Sequence, residues 1–201
     1  MKMSIIKKIF AGLFAAGVLF MSPQMTFAER QEVPEDIYKW VDSTNRGNYF
    51  FNRQQIGYAV SEDGFIDLNT LVVPMLITYD EIQIQDVIKK RQWNMKSTKG
   101  YDKLVGRADY VVFKLTEGTV QVTERVDLDE KWDTLDTDTS GQPINLSDLS
   151  PNSVRRKIFR EILKYAKDHN EEMINRSWGK LTPEDEHLSE DNMPLMKLEL
   201  P

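Results

Sequence analysis

Apolar and polar residues alternate through the middle of this chain and recur at helical spacing toward its end. Val111, Phe113 and Leu115 share one side of a strand, as do Val120, Val122 and Val126, and Thr116-Glu117-Gly118-Thr119 between them is turn chemistry. Residues 110–115 and 120–128 are therefore expected as an antiparallel hairpin with one face buried and one wet. Ile56, Tyr58 and Val60 alternate with Gly57 and Ala59 ahead of a Ser61-Glu62-Asp63-Gly64 turn, which makes residues 65–68 the return strand. Aromatic residues 49–51 also have strand character. The apolar run 71–77 contains Pro74, which cannot donate to a ladder and so implies a sheet edge or a bulge. Met196, Leu198 and Leu200 alternate as a last strand.

Helical spacing is clearest in one long segment. Val154, Ile158, Phe159, Ile162, Tyr165, Ala166 and Met173 fall on one side, opposite Arg156, Lys157, Arg160, Lys164, Lys167 and Glu171. With Ser150 as cap and Pro151 in the first turn, a helix over residues 151–175 is expected to lie across the sheet. Pro34, followed by Glu35 and Asp36 at a positive helix end and by Ile37, Trp40 and Val41 at helical spacing, predicts a short N-terminal helix ending near Thr44. That spacing puts Trp40 in the core. Residues 80–91 fit either period, and Ile84, Val87 and Ile88 favour a helix. The expected fold is α+β in a single domain, mainly an antiparallel sheet of about five or six strands covered by the long C-terminal amphipathic helix.

The first 28 residues stand apart from this pattern. Lys2, Lys7 and Lys8 precede an apolar stretch over 9–21, Ser22-Pro23-Gln24 breaks it, and Thr26-Phe27-Ala28 places small residues where signal peptidase reads. At about 1.5 Å per residue that stretch reaches roughly 20 Å, short of the roughly 30 Å hydrocarbon core, so a cleavable secretory signal over 1–28 is expected rather than a stable membrane span. The mature domain would be residues 29–201. Loss of three lysines and no acids takes the formal charge from −6 to −9, a poor balance for nucleic acid. There is no cysteine, which excludes disulfides, thiolate chemistry and Cys-ligated metals. Export without cysteine points to a bacterial source and a periplasmic or secreted location.

Candidate chemistry is thin. Asp136-Thr137-Asp138-Thr139-Ser140-Gly141 imitates the first half of a calcium loop, with Asp136, Asp138 and Ser140 as ligands, but position twelve is Ser147 and Asp148 falls one place too far. Asp63 to Asp67 imitates a second half and lacks charge at both ends, so it reads as a turn. The two histidines, His169 and His187, cannot build a zinc site or a triad alone. Arg155, Arg156, Lys157 and Arg160 gather near a helix N-terminus as a candidate anion contact, or as a solvated face with Lys157/Glu161 and Lys164/Asp168 pairs. Trp93, Trp132 and Trp178 are flanked by polar residues and are candidates for ligand contact, as in aromatic platforms that hold sugars. No cofactor motif is present. Carboxylates are abundant, yet nothing places two of them about 5 to 10 Å apart as a glycosidase requires. A third class, an outer-membrane barrel, is opposed by the long charged helix and the lack of regular strand-length alternation. The expectation is an exported, non-catalytic protein that binds an envelope or extracellular partner. A small envelope hydrolase using paired carboxylates is the alternative.

Overall fold

Val, Ile, Leu and Thr dominate the longest strand, β4 (Ile66–Tyr79), around which the sheet is built. The computed structural model describes residues 32–201; the expected leader and its cleavage site lie outside them. Eight strands form one antiparallel sheet in the order β1 (Tyr38–Thr44), β2 (Gly47–Asn52), β4, β5 (Leu104–Lys114), β6 (Thr119–Asp129) and β7 (Thr134–Asp138). The other two are β3 (Gly57–Val60), which pairs with the first half of β4, and β8 (Ile144–Asn145), which pairs with the start of β6.

Eight strands replace the five or six expected, for identifiable reasons. The segment that read as a short N-terminal helix is β1, because a two-residue turn at Asn45-Arg46 folds it onto β2 with Thr44 opposite Gly47 and Tyr38 opposite Asn52. Pro34 closes only a single turn, in which the Tyr38 N–H donates to the Pro34 carbonyl. β7 and β8 lie in the Asp- and Thr-rich stretch that carries no hydrophobic alternation. Pro74 sits in the middle of the sheet, opposite Tyr110. Its tolerance is explained by the other edge, where β2 pairing stops at Met75 and β3 pairing begins at Val72, so that β4 has no strand partner at Val73 and Pro74.

Of the helices, α1 (Glu81–Trp93) matches the helix expected at 80–91. Asp80 resolves the ambiguity of period by capping it, its carboxylate accepting the Gln83 N–H at 2.6 Å. The helix expected over 151–175 is broken in two, α2 (Val154–Asp168) and α3 (Asn170–Arg176), at His169, whose φ of −123° and ψ of 25° leave the helical range. Ser153 rather than Ser150 caps α2. The break lets the Asn170 amide meet Tyr58 on β3, where the phenol donates to Asn170 Oδ1 at 2.6 Å. The last strand expected around 195–200 is instead the one-turn α4 (Pro194–Lys197). Lys167 holds its end by donating to the carbonyls of Met196 and Leu198 at 3.1 and 2.7 Å.

α2 lies on one face of the sheet and buries Ile158, Phe159, Ile162, Leu163, Tyr165 and Ala166. Phe159 meets Phe113 edge-on, and Tyr165 meets Phe51 in the same way. Beyond this core, Ile84, Val87 and Ile88 of α1 pack on Ile77, Tyr79, Tyr101 and Leu104. Val120 and Val126 do not share a face as expected. Tyr110 pairs with Glu124 and Val111 with Val122, so Thr123 is an extra residue, a bulge that turns the strand over. Val120 and Val122 therefore face α2, whereas Val126 and Leu128 pack with Leu76 and Ala108 on the outer face.

Candidate functional site

The bulge at Thr123 has a second effect: past it, Arg125 and Asp127 turn to the helix side, where Arg107 and Asp109 of β5 already point. Register then aligns two rows of charge across three strands, Asp109–Arg125–Asp138, in which the signs alternate, and Arg107–Asp127–Asp136, in which two carboxylates are neighbours. Arg91 of α1 closes over them, its Nη1 lying 2.6 Å from Asp136 Oδ2 and 3.8 Å from Asp127 Oδ2. Its guanidinium also sits 4.1 Å from the centre of the Tyr101 ring, and Tyr101 donates to Asp127 at 2.7 Å. Arg107 and Asp109 approach to 3.0 Å but are out of line for a hydrogen bond.

Environment drives these acids apart. Burial pushes the Asp109 carboxyl up, against the pull of Arg107 and Arg125. The hydrogen bond from Arg91 holds Asp136 below the usual carboxylate range, and Ser140 does the same for Asp138 through its side chain and its backbone N–H. Burial, then the bond to Asp127, pushes the Tyr101 phenol up. The calcium candidates are thus residues of β7 and the turn after it. Asp136 and Asp138 face guanidinium groups, Arg125 lying 3.7 Å from Asp138. Among the described residues no three His, Asp or Glu side chains group in a way that could hold a metal ion.

A concave site lies elsewhere, in a groove of about 960 Å³ that runs from the outer face of the sheet past the β1 edge. Tyr38, Trp40, Phe50 and Trp132 are among its aromatic lining, and Asn48, Lys39 and Glu130 are among its polar groups. Trp132 reaches it from a tight turn in which Asp129 accepts the N–H groups of Lys131 and Asp133 on its side chain and that of Trp132 on its carbonyl. The turn holds Trp132 at a φ of +65°, a left-handed conformation unusual for so large a residue. Trp40 is 56 % exposed rather than in the core, because in β1 it faces outward. Its indole N–H donates to Ser43 Oγ at 3.0 Å.

Of the three tryptophans expected at a ligand site, only Trp132 lines the groove. Trp93, at the end of α1, and Trp178, on a loop, are 87 % and 95 % exposed away from it. The basic cluster is solvated at the start of α2: Arg155, Lys157 and Arg160 are exposed, and Arg156 donates to the Leu149 carbonyl at 2.7 Å. Glu161, expected to pair with Lys157, pairs with Arg160 at 3.6 Å. His169 lines the groove with its ring stacked on Tyr165 and Nδ1 2.9 Å from the Tyr165 carbonyl oxygen. His187 is exposed. Reasoning from sequence missed Trp40 and the charged rows. The rows left a signal in Arg107-x-Asp109 and Arg125-x-Asp127, opposite charges at strand period on two neighbouring strands. Compared with known proteins, the chain matches no family model, no curated sequence and no solved structure.

Proposed function

We propose that this chain is an exported, non-catalytic binding protein whose ligand lies in the groove of the outer sheet face, against Trp40, Phe50 and Trp132. One observation carries the reading: a groove within the roughly 300–1,000 Å³ range of small-ligand sites is lined by aromatic rings, one of them a tryptophan left more than half exposed. Aromatic faces bordered by an amide, a lysine and a carboxylate suit a ring that is apolar on its faces and hydroxylated at its rim, and the ligand class is an envelope saccharide. The hydrolase alternative fares worse. Asp127 and Asp136 are brought together, but by a shared arginine, and a glycosidase needs one carboxyl free to give a proton and another free to attack or to activate water.

Titration of intrinsic fluorescence with soluble fragments of envelope polysaccharide tests this. A saturable change is expected, lost in Trp132→Ala and Trp40→Ala while circular dichroism stays native. A signal that survives both substitutions, or release of sugar ends on prolonged incubation, refutes the reading. Export is tested separately, because Ala28→Arg should block maturation and N-terminal sequencing would find Met1 retained.

A further inference from the structure

A second surface of different chemistry lies at the far end of α1. Trp93, its last residue, is 87 % exposed, and Met95 just beyond is 96 % exposed. Lys89 and Lys90 precede Trp93 by four and three residues and so share its side of the helix, while Lys96 and Lys99 are exposed in the following loop. Ile82, another exposed apolar residue, stands eleven positions before Trp93, three helical turns along the same stripe. Residues 87–101 contain five cations and no acid, within a chain of net charge −6. One of the five, Arg91, is turned inward to Asp127 and Asp136, which leaves four lysines facing water. The nearest acids along the chain are engaged or set back. Asp86 pairs with Arg46 at 3.6 Å, and Asp102 follows the loop next to Lys103, which pairs with Glu130 at 3.3 Å.

The backbone adds an independent observation. α1 ends with the Lys96 N–H donating to the Arg91 carbonyl at 2.9 Å and the Met95 N–H to the Gln92 carbonyl at 3.0 Å. This closure requires a left-handed residue at Met95, where φ is +52°, a position glycine usually fills because a side chain there is strained. A methionine is held in that position although its side chain packs on almost nothing. Strained backbone of this kind clusters at ligand clamps and other functional sites.

We propose that this tip is a membrane-surface contact, in which Trp93 and Met95 enter the headgroup region of a bilayer rich in anionic phospholipid while Lys89, Lys90, Lys96 and Lys99 lie against its phosphates. Tryptophan favours that boundary because its ring is amphipathic, and lysines flanking it gain from the negative surface potential. A protein partner fits less well, since lysine is depleted at the centre of protein interfaces. The contact is superficial: no helix among the described residues is long and apolar enough to cross a membrane. It is separate from the groove and does not depend on the groove's ligand.

The experiment uses the full chain purified after export and vesicles of phosphatidylcholine with or without phosphatidylglycerol. Flotation is expected only with phosphatidylglycerol and is expected to weaken with salt. Lys89→Glu and Lys96→Glu should each reduce affinity at least about fivefold, the worth of one lysine at an anionic surface. Quenching by brominated phospholipid, taken as the difference between the chain and Trp93→Phe, reads the tip itself, whatever else on the chain touches the bilayer. Met95→Gly separates the roles of that residue, because it should raise the urea midpoint while weakening vesicle binding. Absence of Trp93-specific quenching, binding unchanged by Trp93→Ala together with Met95→Gly, or capture by a soluble polyanion without flotation would each overturn the proposal.

Discussion

Removing a single oxygen atom from Tyr58 should measure how firmly α3 is docked on β3. Tyr58→Phe keeps the buried ring and deletes only the hydroxyl, which donates to Asn170 Oδ1 at 2.6 Å between two buried residues. The other end of the Asn170 amide donates to Met193 Sδ at 3.1 Å, a weak acceptor, so the phenol is its one strong partner. A net hydrogen bond is worth about 0.5–1.5 kcal/mol, and stranding a buried acceptor costs about 1–3 kcal/mol. The expected loss is therefore about 2 kcal/mol, a sizeable part of a domain stability of about 5–15 kcal/mol. Asn170→Leu in the Tyr58→Phe background removes the stranded oxygen and should recover part of the loss, whereas Asn170→Leu alone should be costly because it strands the phenol instead. Urea titrations of the four proteins, followed by circular dichroism, give the coupling energy. Burial also pushes the Tyr58 phenol above the ordinary tyrosine range, so in an alkaline absorbance titration it should ionise only on unfolding. If Tyr58→Phe costs less than about 0.5 kcal/mol, no larger than an ordinary surface change, the two residues are not in contact and α3 is not seated on β3.

Ile162→Ala, at a fully buried position of α2, should cost about 2–5 kcal/mol in the same assay, and Lys164→Ala on the exposed side less than about 0.5 kcal/mol. Below neutral pH the acids pull in opposite directions. Asp136 and Asp138, whose values are lowered, add stability above their ordinary pKa of 3.8 that is lost as pH falls through their depressed values. Asp109, whose value is raised, favours the fold below 3.8 and loses that contribution as pH rises through its own value. Arg91→Met should consequently flatten the acid limb of a urea midpoint against pH curve, and an unchanged limb would show that Arg91 does not hold Asp136 ionised. Calcium or a chelator should leave the thermal midpoint unmoved, since both candidate carboxylates already face arginine. A rise with calcium that disappears in Asp136→Asn would reverse this.

Sequence reasoning reached the elements whose side-chain pattern and local chemistry agree. The 110–128 hairpin, the apolar arc of α2 and the helix beginning after Asp80 were legible because periodicity coincides with a turn or a cap. β1 was hidden because Ile37, Trp40 and Val41 satisfy helical spacing by chance, and the pairing with β2 that makes them a strand is not written in their own spacing. β7 was hidden for a different reason. Its Asp136 and Asp138 are tolerable in a strand only because Arg91 and Arg125 arrive from elsewhere in the fold, and no local reading supplies those partners. The same dependence on distant partners concealed the break at His169, which helix periodicity runs straight through. At the candidate groove, Trp132 was accessible to reasoning from its polar flanks, whereas Trp40 was lost with the misread element that carries it.

Thr123 puts the two halves of β6 out of step with the count of residues along it. Hydrophobic residues at 120, 122, 126 and 128 keep an unbroken even count, yet the strand changes sides between them, so its two halves are written in different reading frames. Losing that one residue would merge the frames without moving either half, because Val122 and Glu124 already stand opposite the neighbours Val111 and Tyr110. A slip that paired Thr123 with Tyr110 would do the damage instead, sending Arg125 and Asp127 to the outer face and driving Val126 and Leu128 in toward Arg91 and the carboxylates of β7. Substitution at the position removes no more than the bond from Thr123 Oγ1 to the Tyr110 carbonyl at 3.1 Å. During divergence, position 123 should therefore accept many residue types and even be lost, while the pattern on either side of it stays fixed, a signature to seek wherever a related chain is aligned.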